Sequence, residues 1–418
     1  MRVSRRQFLG ATSGAAALTT LAARSARGAG AADDPLNVRD DFPALAEYTF
    51  LNTAYIGLSP RPVVDAGRTW LEARAHRPLE VGDMLNKTDE ARRRFAGLIN
   101  ASEDEVGLLF STTEGENVVV DALEFKRGDN VVIDDLVYPS TPVIHRRLQE
   151  TQGVELRIVK HREGVVDVRD FEKVVDRRTR LISVAWVSNL NGFRHDMRGL
   201  ADLAHAHGAY LYADAIQLVG TGPVDVREAG VDFLCCGCYK WLMAGFGIAP
   251  FFVRKDLLDR VKADRAGWHV EKRLGDYHYQ HFKNARKYEF ASLAFGEMYQ
   301  LAAALAYLER VGVARIEAHT TALVAELRRG LVDRGFRLFT PPDTRSPILS
   351  FYIGGAPEPA TKALADAGVK VSVQNGDRTD AYGGAGAPAS RVRVSVSLFN
   401  NAADIQRMLS AAERIQAS

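Results

Sequence analysis

Short apolar runs and longer amphipathic stretches alternate along most of this 418-residue chain. Apolar runs at 106–110, 130–133, 154–159, 180–187, 210–213, 231–236 and 248–253 have the length and bounded character of buried strands. Helical periodicity fills the gaps at 139–150 and 168–175, and again up to His207 behind Asp196, a good N-cap. Earlier, Val63, Val64, Gly67, Trp70 and Leu71 predict one amphipathic helix after Pro62, with a second over 89–98. Strands alternating with helices predict an α/β fold. Its sheet is mainly parallel, its helices cover both faces, and its working loops sit at the strand C-terminal ends.

Beyond residue 254 the pattern changes. Residues 255–287 carry charge and aromatics (Trp268, Tyr277, Tyr279, Phe282) without a clear period and read as a linker. His278 and His281 would share a face there only if it were helical, and no acid stands at a fixed spacing to complete a metal site. Two amphipathic helices joined near Gly312 follow, then segments at 348–353, 361–367, 369–373, 391–398 and 402–416. These predict a smaller α+β C-terminal domain. The expected layout is a signal at 1–31, a tether at 32–50, a large domain at 51–290 and a small one at 291–418.

Composition adds constraints. Hydrophobic content of 46% and charged content of 25% are ordinary for a soluble globular enzyme. The net charge of +2 hides an asymmetry: residues 1–31 hold five arginines and no acid, leaving 49 basic and 52 acidic residues in the remainder. A slightly acidic body gives no electrostatic case for nucleic-acid binding. Ser4-Arg5-Arg6-Gln7-Phe8-Leu9, an alanine-rich run to Ala23, and Ala29-Gly30-Ala31 have the order of a twin-arginine export signal. That pattern predicts a twin-arginine translocase as partner and a periplasmic or extracellular destination. The apolar run is too short and weak for a stable membrane span. All three cysteines, Cys235, Cys236 and Cys238, fall within four positions. That spacing suits small apolar packing better than zinc or a disulfide, so no metal is expected.

The chemistry gathers at Cys235-Cys236-Gly237-Cys238-Tyr239-Lys240-Trp241, where a lysine stands at the mouth of a buried strand. Upstream, Asp214 and Gln217 stand three apart at the end of another strand. Ser111-Thr112-Thr113 opens a helix after a third, and hydroxyls with free N–H groups at a helix N-terminus bind anions. A lysine, a buried aspartate and a phosphate cup together suit pyridoxal 5′-phosphate (PLP). Lys240 would form the Schiff base, and Asp214 would hold the proton on the pyridine nitrogen.

From Asp214 to Lys240, with Asp-x-x-Gln and an aromatic residue (Tyr239) before the lysine, the chain resembles the class V aminotransferases of fold-type I. That family includes cysteine desulfurases, selenocysteine lyases and isopenicillin N epimerase. The resemblance extends from about residue 45 to 416. It implies that Thr112 and Thr113 hold the cofactor phosphate and that Gln217 reaches the ring's O3′ region. Asn189, in Ser188-Asn189-Leu190-Asn191-Gly192, would reach O3′ or the substrate. Tyr138 takes the place of the residue that stacks on the ring, where many desulfurases carry histidine. Asn52 and Ala54 match a segment that passes over substrate, and Tyr239 joins the cofactor shell. Ser292, in an Ala-Ser that replaces the family's Gly-Thr, would cap the phosphate of a neighbouring subunit in a homodimer. Arg393 takes the position of the arginine that forks onto an amino acid's α-carboxylate, with Arg391 as runner-up on the same strand face.

These residues imply a PLP enzyme acting at the α carbon of an amino-acid substrate. The family's desulfurases relay sulfur through a cysteine in a mobile loop ahead of that arginine, and this chain has no cysteine after Cys238. On that ground persulfide-type desulfuration is set aside. An epimerase or a Cβ-elimination lyase is favoured, with a transaminase or a catalytically silent PLP-fold binding protein as alternatives.

Overall fold

The structure, a computed structural model, describes residues 34–375 and 390–416. The twin-arginine stretch therefore lies outside the described residues. The described chain opens with β1 (Thr49–Phe50), α1 (Arg61–His76) and α2 (Val81–Leu98). It continues through β2 (Val106–Leu109), α3 (Thr112–Ala122), β3 (Asn130–Asp134), α4 (Ser140–Gln152) and β4 (Glu155–Val159). Next come α5 (Val168–Glu172), β5 (Thr179–Ala185), α6 (Met197–Ala206) and β6 (Tyr210–Asp214). Then follow α7 (Val226–Ala229), β7 (Phe233–Cys235) and β8 (Ala249–Val253). Asp196 caps α6 as the sequence predicts, its carboxylate accepting from Gly199 N.

Seven of these strands form one sheet in the order β2-β8-β7-β6-β5-β3-β4, parallel except where β8 pairs antiparallel with its neighbours β2 and β7. The strands read as unbroken apolar runs because both faces are covered. Period-2 alternation sends Val132, Ile182 and Leu211 to one face, into a core shared with α6 and a long helix, α8 (Phe295–Val311). Val131, Ile133 and Leu181 turn to the other, against α3 and α4. This is the fold-type I architecture of PLP-dependent enzymes.

The rest comprises a hairpin of β9 (Lys272–Arg273) and β10 (Tyr279–Gln280), then α8 (Phe295–Val311) and α9 (Val313–Asp333). After β11 (Ile348–Tyr352) and α10 (Pro357–Asp366) come β12 (Val369–Lys370), β13 (Ser372–Gln374), β14 (Arg391–Ser395) and α11 (Ala402–Gln416). An antiparallel sheet β11-β14-β13 packs α9, α10 and α11 around its own core, including Leu327, Leu349, Val392, Val394 and Met408. β1 pairs in parallel with β12, which ties the N-terminal segment to this smaller layer.

Two expectations are corrected. The second helix begins at Val81, not 89, because α8 packs along both α1 and α2 and supplies an apolar surface for its polar first turns. Residues 272–280 form a hairpin, so His278 and His281 do not share a helix face, and His281 meets the edge of Tyr279 at 5.0 Å. Among the described residues, no group of three or more His, Cys, Asp or Glu side chains is placed to hold a metal. Among the same residues, no helix is long and apolar enough to cross a membrane.

Candidate active site

The C-terminal ends of the parallel strands converge on one place. β2 leads into Ser111-Thr112-Thr113, β3 towards Tyr138, and β5 towards Asn189. β6 ends at Asp214, and the connection from β7 to β8 carries Tyr239 and Lys240. The register pairs Asp214 with Ala185 on one side and with Cys235 on the other, so the aspartate stands mid-sheet. Ser111 Oγ accepts from Glu114 N and starts α3. The N–H groups of Thr112 and Thr113 precede the first intrahelical bond, from Gly115 N to Ser111 O, and are therefore open to an anion. Thr112 Oγ1 accepts from Gly237 N at 2.9 Å, which joins the cup to the lysine loop.

A small cavity is lined by Ser111, Thr112, Thr113, Glu116, Tyr138, Ser140, Asp214, Tyr239 and Lys240. Lys240 is only 5% exposed and Asp214 only 9%. Burial pulls the Lys240 ammonium well below the ordinary lysine range, partly offset by the charge of Asp214. Burial pushes the Asp214 carboxyl up, opposed by its bond from Ile216 N and by the charge of Lys240. The Lys240 Nζ lies 5.8 Å from the Tyr138 ring centre and 5.7 Å from that of Tyr239. Tyr239 in turn stacks on Phe246 with centroids 4.3 Å apart.

On the other side of Lys240 a larger cavity of about 360 Å³ is lined by Ala54, Tyr55, Asn189, Phe246, Gln374 and Arg393, among others. Arg393 is 4% exposed, and its guanidinium donates to Asn189 O at 2.8 Å. Among the described residues, its Nε and the Asn189 Oδ1 are both buried without a hydrogen-bond partner. Arg391, the runner-up, instead lies over the Phe339 ring at 4.6 Å. A phosphate cup, an unpaired buried amide oxygen and a buried lysine–aspartate pair fit PLP, and Arg393 fits a carboxylate beside it.

Other expected residues are placed differently. Gln217 does not line either cavity: its amide donates to Ala54 O at 3.0 Å and accepts from Trp241 Nε1 at 2.8 Å. It therefore fastens the 52–57 segment to the lysine loop. Asn52 bridges to Ser395 and keeps its Oδ1 buried without a partner, whereas Ala54 reaches the cavity wall. Ser292 lies in a separate cavity with Phe110 and Tyr288, and accepts from Trp268 Nε1 at 3.3 Å. The three cysteines are buried, as their packing role predicts.

Sequence reasoning missed two features. Glu116, one turn into α3, lines the small cavity and accepts from Thr141 Oγ1, His145 Nε2 and Ser183 Oγ. A buried acid on an otherwise apolar helix face was the available signal. Gly57 was the other: its N–H donates to Tyr239 O at 2.9 Å, and a Cβ there would stand 2.0 Å from Lys240 O.

The family model described as aminotransferase class-V matches residues 53–408. A probable cysteine desulfurase of Methanothermobacter thermautotrophicus is 29% identical over 397 residues, covering 91% of this chain and 97% of the relative. The apo structure of a cysteine desulfurase from Thermococcus onnurineus NA1 superposes with a TM-score of 0.83 at 26% identity, covering 92% and 99% of the two chains. A C-DES mutant with glycine covalently linked to its PLP cofactor shares the fold, with a TM-score of 0.79 at 17% identity over 89% and 98% of the chains. The names of the first two overturn the preference for an epimerase or Cβ-elimination lyase. The missing loop cysteine bears on where sulfur goes, whereas the lysine–aspartate site governs which bonds at carbon can break. Setting desulfuration aside on that ground confused the two.

Gly57→Ala tests how the 52–57 segment holds the lysine loop. The new methyl has only backbone to displace, so a loss of about 1–3 kcal/mol in unfolding free energy is expected. PLP retention, followed by dialysis, should weaken with it. A variant as stable and as cofactor-loaded as the parent would refute the contact.

Proposed function

The chain belongs to the class-V aminotransferase family of PLP-dependent enzymes, and on that premise we propose that its reaction is the removal of sulfur from L-cysteine. The observation that carries the reading is the wall of the larger cavity. Among the described residues its lining holds two cations, Lys240 and Arg393, no carboxylate, and the rings of Tyr55, Tyr138, Tyr239 and Phe246. Such a site selects an α-carboxylate through Arg393 and favours a neutral side chain. Aromatic edges and faces also attract sulfur, by about 0.3–1.5 kcal/mol per contact. Similarity to proteins named cysteine desulfurases supports the same substrate.

Bound by Lys240, Asp214, Asn189 and the Thr112–Thr113 cup, PLP supplies an electron sink for bonds at the substrate's α and β carbons. The chain's own groups do the rest. Asp214 provides the counter-charge for the proton on the ring nitrogen. Lys240 Nζ, its proton affinity lowered by burial, takes and returns a proton at the α carbon. Arg393 orients the substrate by its carboxylate, and Tyr138 and Tyr239 flank the lysine and keep water from it.

Two further readings belong with this one. The Ser292 cavity and Phe110, 69% exposed at its wall, suit cover by a second copy of the chain, in a homodimer. The Arg5-Arg6 pair and the alanine-rich run after it support export through the twin-arginine translocase.

Holoprotein given L-cysteine should form alanine. Lys240→Ala should abolish this, and borohydride should fix the cofactor to the Lys240 peptide of the parent. Arg393→Lys should lower kcat/KM by roughly 30- to 1000-fold, about 2–4 kcal/mol, with the cofactor spectrum unchanged. Pyruvate in place of alanine, or racemised cysteine, would overturn the assignment. Sedimentation should show a dimer at micromolar concentration, and a monomer refutes that part. Replacing Arg5 and Arg6 together by lysine should hold the precursor in the cytoplasm; undiminished mature protein outside it refutes export.

A further inference from the structure

Sulfur leaving cysteine needs an acceptor, and the chain's own thiols are out of reach. Cys235, Cys236 and Cys238 are the only cysteines in the sequence. Each is at most 1% exposed, and none lines the cavities on either side of Lys240. Their sulfurs lie against backbone carbonyls: Cys235 Sγ on Ser111 O at 3.7 Å, Cys236 Sγ on Gly237 O at 3.7 Å, and Cys238 Sγ on Cys236 O at 4.0 Å. Burial pushes all three thiols up, away from the thiolate that would act as nucleophile.

The larger cavity, in contrast, has space and an unused polar group. Its volume of about 360 Å³ is in the range that takes a drug-sized ligand, and cysteine is far smaller. Ser372 and Gln374 line its far wall with Ile56 and Phe246. Both polar residues belong to β13, where Ser372 pairs in register with Arg393 and Gln374 with Arg391. Among the described residues, Gln374 Oε1 is buried without a hydrogen-bond partner. A second small molecule with a donor group would satisfy it, next to a substrate held by Arg393.

We infer that the sulfur acceptor is a diffusible low-molecular-weight thiol, bound in this cavity against Gln374, Ser372, Ile56 and Phe246 beside the substrate. The inference rests on the cysteine reading above. The acceptor's thiolate attacks the substrate sulfur, an S–S bond forms, and the Cβ–S bond breaks with its electron pair passing to carbon. That carbon gains the proton the acceptor lost. L-Cysteine and R–SH thus become L-alanine and R–S–SH, the carbon being reduced by two electrons and the acceptor and transferred sulfurs each oxidised by one, with no other oxidant.

The test uses holoprotein, L-cysteine and 2-mercaptoethanol. Alanine formation should rise with 2-mercaptoethanol and saturate. Alkylation and mass spectrometry should find its persulfide and the sulfide that excess thiol releases from it, together in equal amount to alanine, and no added sulfur on the peptide carrying Cys235, Cys236 and Cys238. Gln374→Ala should raise KM for the thiol about five-fold, as expected for one lost hydrogen bond, while KM for cysteine moves less than about two-fold. Without turnover, saturation-transfer NMR should detect 2-mercaptoethanol on the protein and lose it in Gln374→Trp. Four results would overturn the inference: sulfur on the cysteine peptide, alanine formed at a rate independent of thiol, turnover only when a protein thiol replaces the small one, or equal changes in both KM values. Absence of alanine at every thiol concentration would instead remove the cysteine reading on which the inference rests.

Discussion

Everything in this molecule is arranged around burying a lysine and an aspartate at neighbouring strand ends. Taking such charges out of water costs several kcal/mol each unless good partners replace the solvent. Here the replacement is incomplete: Asp214 keeps one backbone donor, and the nearest groups to Lys240 Nζ include two aromatic rings. The sheet can carry that cost because it is large and covered on both faces, with cores formed by α6 and α8 on one side and α3 and α4 on the other. The consequence is functional. A lysine whose ammonium is disfavoured and a carboxyl whose proton is favoured are poised to react with, and to hold, a cofactor that brings the missing charges.

The second constraint is that the arginine facing the larger cavity with Lys240 comes from a different sheet. Arg393 sits on β14 of the small antiparallel layer, and it must meet a lysine in the β7–β8 connection. The 49–57 segment makes the join. It pairs with β12, meets Ser395 through Leu51 O and Ala54 N, takes a bond from Gln217 at Ala54 O, and ends with Gly57 N on Tyr239 O. Arg393 closes the circuit by donating to Asn189 O in the large layer. The position of Arg393 relative to Lys240 is thus set by hydrogen bonds that cross between layers, which explains why a glycine with no chemistry of its own stands against the lysine backbone.

Legibility in the sequence followed the range of the interactions. Lys240, Asp214, Thr112 and Thr113 could be read because each lies directly after a buried apolar run, and strand ends are where an α/β sheet places its ligands. The parallel sheet was legible for the same reason. The bonds of Gln217 to Ala54 and Trp241 were not legible because they depend on tertiary contacts that its spacing from Asp214 does not reveal. The start of α2 at Val81 was missed since polar first turns carry little period, and the packing partner, α8, lies two hundred residues away in sequence. Glu116 and its bonds to His145, Thr141 and Ser183 were hidden similarly: three elements supply one network.

The reaction was misread for a chemical reason rather than a structural one. Breaking a bond at carbon and disposing of the departing sulfur are separate demands, met by different groups. On the proposed reading Lys240, Asp214 and Arg393 serve the first, and they are buried whatever takes the sulfur. The second needs only a thiolate that can approach the substrate, and nothing requires it to be tethered to this chain. A tethered thiol gains effective concentration, at the cost of holding the product on the protein until it is passed on. A chain whose thiols are all shut inside its core forgoes that gain, and must instead leave room at the site for whatever arrives. On the inference of a diffusible acceptor, the cavity beside Lys240, walled by aromatic rings and lined by Gln374, is the structural counterpart of that choice.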